Sequence, residues 1–326
     1  MKFFHSGDLG DVIYALPSMR EMGGGDLYLN SRPWTAAMTP ERAGVLRPLL
    51  EAQPYVGRVT HGDAPPGSVD FSTFRRGGLL YGVSLGELQS RWVAAKATFS
   101  PWLSTAKSPE SAGRIICHRS PRYHNPYFRW DEIGKKFGRR LLLVGMPQEV
   151  EALRGQLGFG AEHATTKDYL ALASLIAGAD LFIGNQSSPM ALAIGLGVPF
   201  VQETCLWTPD CLYIRTGCHY CYDGGIPAYG IPSFDPPPDI DRLMTPPGGW
   251  TAASPQTGEA DSFKFHRRAT RWLFARGGFA TEDEAAREVD RQNARRVPFL
   301  VRRDSGHEIF RKVREAVDSI NNRATF

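Results

Sequence analysis

The stretch from Leu181 to Pro199, LFIGNQSSPMALAIGLGVP, decides the fold. An apolar strand, Leu181 to Gly184, runs into Asn185-Gln186-Ser187-Ser188, and Pro189 falls where the first turn of a helix should be. Proline there sacrifices no needed hydrogen bond, and Ser187 or Ser188 can cap the helix. The helix itself, Pro189 to Leu196, is apolar on every side, so it must be covered all round. Pro199 to Gln202 then reads as the next strand. A strand, a helix and a strand in this order form one unit of a parallel α/β layer. The free amides and positive dipole end of the helix face the carboxyl edge of that layer, where a diphosphate can be held. From the residues alone, an ordinary capped core helix fits equally well.

Working upstream, the same alternation covers Arg114 to His118, a helix near Trp130 to Phe137, strand Leu141 to Val144, a helix from Gln148, and helix Lys167 to Ala177. A similar layer opens the chain. Lys2 to His5 reads as its first strand, and Val12, Ile13, Leu16 and Met19 give the three-to-four spacing of a packed helix whose start Pro17 obscures. Asp26 to Asn30 and Tyr55 to Thr60 are further strands, with a helix around Pro40 to Ala52. Thr105 to Gly113 has small residues and no apolar period, as an interdomain connection should. The expected organisation is a first Rossmann-like domain over 1–105 and a second over 106–250, the latter trailing into a Pro/Gly-rich segment from Gly224 to Gly258. A basic helical extension over 251–326 then packs back across the domains. In that extension Thr281 with Glu284, and Ser305 with Glu308, fit capping boxes.

Composition bounds the function classes. The chain has 326 residues, of which 42% are hydrophobic and 22% charged, so it can bury a large core and is not a disordered or fibrous protein. Five cysteines are too few and odd in number for a disulfide framework, which points to a reduced, cytoplasmic setting. No apolar run approaches a membrane span or a signal peptide, so any contact with a membrane is expected to be peripheral. The net charge of +4 is unevenly placed. Residues Ser262 to Phe326 carry 15 Lys and Arg against 9 Asp and Glu, including Arg267, Arg268, Arg271, Arg295, Arg296, Arg302 and Arg303. Such a surface can follow a phosphate backbone or anionic head groups, although a solvated helical face is the plainer reading.

Cys205, Cys211, Cys218 and Cys221 crowd one segment, and Cys218-x-x-Cys221 has the spacing of half a zinc site. The irregular gaps favour buried thiols over a structural zinc, and no other metal site is expected. Near the N-terminus, His5-Ser6-Gly7-Asp8-Leu9-Gly10-Asp11 places two glycines and two carboxylates at a strand end. Only Gly7-x-x-Gly10 is present, so the dinucleotide fingerprint is incomplete and a nicotinamide or flavin enzyme is weakly supported. Asp8 and Asp11 also fit plain helix capping, and His5 a core histidine.

Gly10-Asp11-Val12-Ile13 with Leu16-Pro17, together with Asn185-Gln186-Ser187-Ser188-Pro189-Met190 and Leu196-Gly197-Val198-Pro199, resembles the heptosyltransferase-type glycosyltransferases of the GT-B fold. The likeness runs from the first strand to about residue 205. It implies two Rossmann-like domains facing a central cleft, the second binding a nucleotide-diphosphate sugar as co-substrate, with no other cofactor required. By resemblance, Asp11 holds the position of the catalytic base. Asp8 beside it and His5 as a backup base are further catalytic candidates, and the expected reaction is transfer with inversion to an acceptor hydroxyl. The donor side then comprises Gly10, Arg119, Arg122, Tyr123 and Asn125, then Glu149 on the ribose hydroxyls, and the run from Asn185 to Met190. Arginine suits this task because its planar fork donates two parallel bonds to phosphate oxygens. Gln186, Ser188 and Ala191 stand where the family's second motif commonly has Asp, Gly and His. The expected acceptor is a glycan or lipid-linked saccharide. A hydroxylated base in DNA is an alternative that would use the basic C-terminal region, and a nucleotide-sugar binding protein without turnover is another.

Overall fold

A computed structural model of the chain describes residues 1–32, 37–72, 74, 84–125, 128–204, 211, 213 and 218–221. The expectations placed on 251–326, and on Cys205, lie outside the described residues, as does the segment from Gly224 to Gly258. The first unit contains β1 (Lys2–His5), α1 (Leu9–Glu21), β2 (Gly25–Leu29), α2 (Pro40–Glu51), β3 (Val56–His61) and β4 (Val69–Asp70). These strands form a four-stranded sheet in the order β3-β2-β1-β4, and each described pairing is parallel. Local chemistry sets the helix starts. Thr39 Oγ1 accepts from the Arg42 amide at 3.3 Å ahead of Pro40, and Ser84 and Glu87 form a reciprocal capping box that opens α3 (Leu85–Trp92).

The second unit contains β5 (Ile115–His118), α4 (Trp130–Phe137), β6 (Leu141–Leu143), α5 (Pro147–Leu157), β7 (Glu162–His163) and α6 (Tyr169–Gly178). After these come β8 (Leu181–Asn185), α7 (Ser188–Leu196), β9 (Phe200–Glu203) and β10 (Cys218–Cys221). Its six parallel strands run β10-β9-β8-β5-β6-β7, the doubly wound arrangement in which the order of strands across the sheet reverses between β5 and β8. In the first unit the equivalent reversal lies between β1 and β4. Ligands of such sheets bind outside the carboxyl ends of the strands at these reversals, so the ends of β1, β5 and β8 are where function should be sought. The apolar runs of β5, β6 and β8 are buried on both faces, as strands covered by helices on each side must be.

The two units meet through α1 and α7, which pack against each other within one continuous apolar core. Every residue of α7 from Pro189 to Gly195 is buried. Burial of Met190, Leu192 and Ile194 contributes about 1.5–3 kcal/mol each. Pro17 does not delay α1: it lies inside the helix, where it has no N–H to give the Ile13 carbonyl. The Trp102 indole supplies that hydrogen bond from outside at 3.1 Å. The amides of Trp102 and Leu103 meanwhile donate to the Gly195 carbonyl at 2.8 and 2.9 Å, so one short segment ties α1 to the end of α7. Four elements were not anticipated: β4, β7, β10 and α3. Two of them have only two residues, and Cys218–Cys221, read for zinc spacing, is an edge strand beside β9. Among the described residues no helix is long and apolar enough to cross a membrane.

Candidate active site

On the first unit, β1 ends at His5 and the chain turns through Ser6 and Gly7 into α1. His5 is buried, stacks on Phe71, and accepts at Nδ1 from the Gly7 amide at 2.8 Å. A Cβ at Gly7 would lie 2.6 Å from His5 Cε1 and 2.7 Å from Asp11 Oδ2, so only glycine lets the imidazole and the carboxylate flank this turn. Asp11 is buried in the first turn of α1, and its Oδ2 accepts from the Asp8 amide at 3.2 Å. Asp8, at the helix cap, is half-exposed and accepts from Arg42 of α2 at 2.9 Å.

The second unit presents the ends of β5 and β8. Arg119, expected on a diphosphate, is turned inward: Nε and Nη2 each donate to Glu203 at 2.7 Å. Glu203 is fully buried and also accepts from the Asn125 amide at 2.7 Å and the Trp130 indole at 3.0 Å. Asn125 is likewise buried, donating to the Thr204 carbonyl at 3.0 Å. Asn185 holds the other side of the same loop, pairing with both the amide and the carbonyl of Ser120 and with the Arg122 carbonyl. These anchors leave Arg122 and Tyr123 projecting. Tyr123 sits at φ +59°, a left-handed conformation uncommon for a non-glycine residue, with the Arg122 guanidinium 5.3 Å from its ring centre.

At α7, Ser187 occupies the cap position, yet among the described residues its side chain makes no capping bond. Its hydroxyl lies 3.1 Å from His118 Nδ1 and 3.2 Å from the Asn185 carbonyl. The Ser188 hydroxyl bonds Tyr169 of α6. Gln186 is buried, and the Met190 side chain belongs to the core, so only its amide remains at the helix start. Glu149 lies 3.5 Å from the other ring nitrogen of His118 and accepts from the Met146 amide at 2.9 Å. Burial raises the Glu149 carboxyl, but the hydrogen bonds from His118 and the Met146 amide outweigh it and hold the group below the usual carboxylate range. Gly145 at φ +135° makes this approach possible, since a Cβ there would lie 2.9 Å from Glu149 Oε2.

The two faces touch at the helix starts. A Cβ on Gly10 would lie 3.6 Å from the Ser188 Cα, which places the N-termini of α1 and α7 side by side. Arg122 reaches across to Asp8 at 3.5 Å. Two positive dipole ends, two guanidinium groups and the Asp11 carboxylate therefore share one locality at the strand ends. Such a place can hold an anionic ligand beside a proton acceptor.

No family model and no curated protein matches the sequence. The chain is similar to solved structures of heptosyltransferases. Over 68% of this chain and 92% of the other, it is 13% identical to E. coli heptosyltransferase WaaC with ADP-2-deoxy-2-fluoro heptose, with a TM-score of 0.46. A glycosyl transferase family 9 protein from Veillonella parvula is 14% identical over 62% and 79% of the two chains, with a TM-score of 0.44. The iron-containing dodecameric glycosyltransferase TibC from enterotoxigenic E. coli is 16% identical over 89% and 75%, with a TM-score of 0.45.

Four residues of this locality escaped the reading of the sequence. His118 ends a predicted strand, Arg42 and Tyr169 fall inside predicted helices, and Glu203 follows a predicted strand, and the sequence assigns none of them a role. The signal available was positional: His118 and Glu203 both end strands at the carboxyl edge. Of the four cysteines weighed for zinc, Cys211 and Cys221 are buried. Among the described residues no group of three or more His, Cys, Asp or Glu could hold a metal.

Proposed function

We propose that the protein is a glycosyltransferase of the GT-B architecture. In this reading it moves a sugar with inversion from a nucleotide-diphosphate sugar to a hydroxyl of a glycan or lipid-linked saccharide. One observation carries the reading: the buried carboxylate of Asp11 opens a helix whose start lies against the start of α7, a helix that its own cap residue leaves uncapped. The acceptor oxygen forms its bond to the anomeric carbon as the bond from that carbon to the diphosphate oxygen breaks. The acceptor proton passes to Asp11, and the nucleoside diphosphate leaves. The developing charge falls on the first-turn amides of α7, the Ser188 hydroxyl and Arg122, where fixed donors stabilise it most. Arg119 acts at one remove, by holding the loop that carries Arg122. An ordinary aspartate, with a pKa of about 3.9, is ionised near neutrality and so can accept the acceptor's proton.

Nucleoside diphosphates and their sugars, screened by calorimetry, should include a binder, and the bound sugar should be transferred. Asp11→Asn should keep donor binding and lose transfer about 100- to 10,000-fold, the usual share of a general base. Binding by none of them would sink the donor assignment. Equal transfer by Asp11→Asn would remove the base, and donor binding without Asp11-dependent product would identify a binding protein instead.

A further inference from the structure

His118 lies 3.1 Å from the Ser187 hydroxyl at the cap of α7 and 3.5 Å from the Glu149 carboxylate on its other side. Three residues from three different elements, Glu149, His118 and Ser187, thus form a line ending at the proposed diphosphate position. Glu149, held below the usual carboxylate range, is an acceptor only, so the proton facing it belongs on His118 Nε2. That fixes the choice at Nδ1. In a neutral imidazole Nδ1 carries no proton and accepts from the Ser187 hydroxyl. In an imidazolium Nδ1 donates to Ser187, and the single hydroxyl proton must turn elsewhere.

The structure shows where else it can turn. The Ser187 hydroxyl is 3.2 Å from the Asn185 carbonyl, nearly the same as its distance from His118, so its proton has two ready acceptors. A phosphate oxygen at the start of α7 would be a third. The neutral state directs the Ser187 lone pairs toward an incoming anion, which repels it. The charged state adds a cation and releases a donor. Building on the donor reading above, we propose that His118 is a positioning residue that takes up one proton at Nδ1 when a diphosphate docks at α7, turning the Ser187 hydroxyl onto the ligand. The proton comes from solvent and returns there when the diphosphate leaves. The ionisable groups around this line are Glu149 of α5, His163 of β7, Tyr169 of α6, and across the contact Asp8 with Arg42 and Arg122.

The test is nuclear magnetic resonance of the full chain with 15N-labelled histidine at pH 7.5, the His118 signals being assigned by His118→Gln. Two probes are added in turn: methylenediphosphonate, and a panel of nucleotide-diphosphate sugars, whose diphosphate does not itself titrate near neutrality. The free protein should show the Nε2–H tautomer, and a bound probe should move His118 to the imidazolium. Affinity for the sugar nucleotide should then fall up to tenfold per pH unit above the imidazole range in the parent and stay flat in His118→Gln. Ser187→Ala, a smaller change, should bind several-fold more weakly and keep the pH dependence. Protonation by the diphosphonate without binding of any sugar nucleotide would support the switch and count against the donor reading. A sugar nucleotide bound and transferred while His118 stays neutral would overturn the switch and leave the donor reading standing. No change at His118 with either probe would also overturn it.

Discussion

The two units carry the same device, a parallel strand that turns sharply into a buried helix, and they finish it in opposite ways. At β1–α1 the sequence provides its own anions: Asp8 sits at the cap and Asp11 in the first turn, and Asp11 reaches back to the Asp8 amide. At β8–α7 the first turn has no acidic residue, and the cap serine looks away to His118. A helix start complemented by carboxylates is finished as it stands, whereas one that lacks them is open to an anion from outside. The flanking arginines repeat the contrast. Arg119 is consumed by Glu203 inside the protein, while Arg122, three residues on, is mostly exposed and leans toward the other unit.

The largest effect should come from testing that division between the arginines. Among the described residues, Arg119→Met leaves the buried Glu203 carboxylate only the Asn125 amide and the Trp130 indole, and breaking a buried pair by removing one partner costs about 3–5 kcal/mol. Urea unfolding should show this loss, and adding Glu203→Leu should recover much of it. Unchanged stability with weakened diphosphate binding would mean that Arg119 faces the ligand after all. A smaller effect, of opposite sign, is expected from giving α7 what α1 has. Ser187→Asp should stabilise the fold by about 0.5–1 kcal/mol as a charged cap, and reduce diphosphate affinity at least tenfold by occupying its place. If stability and binding both fall, α7 is not an open helix start.

Most of the architecture was legible because it is written in local pattern. Trp130–Phe137 was read to the residue, and β1, β6, β8 and α7 to within one, since continuous apolar strands and helix-period runs leave little choice. β4 and β7 have two residues each, too short for any period, whereas α3 carries a local signal in its Ser84–Glu87 capping box but has only eight residues in which to show a period. Pro17 was misleading because its remedy, the Trp102 indole, comes from 85 positions downstream, and only folding reveals it. The site was legible as segments but not as roles. The strand-end loops stand out by their glycines, serines and arginines, yet which arginine turns inward depends on Glu203, a residue with no local signal. His118 shows the same limit, since its two partners lie in α5 and at the start of α7.

The smallest expected effect concerns Glu149, the carboxylate that the second unit keeps at a distance from its open helix. Burial alone would raise this group, so its lowered position means that His118 and the Met146 amide contribute more than burial removes. A carboxyl that is lower in the folded than in the unfolded chain stabilises the fold above the unfolded value, about 4.3 for a glutamate, and that contribution is lost as pH falls through the folded value. Glu149→Gln keeps the shape and an acceptor for Met146 but cannot titrate. The stability difference between parent and variant should therefore be greatest near pH 6 and shrink on acidification below about pH 5. Urea midpoints across pH 3.5 to 7 would measure it. A difference that stays constant, or grows in acid, would show that burial dominates at Glu149. The His118 bond would then contribute less at Glu149 than burial costs, and the distinction between the closed start of α1 and the open start of α7 would rest on the missing carboxylates alone.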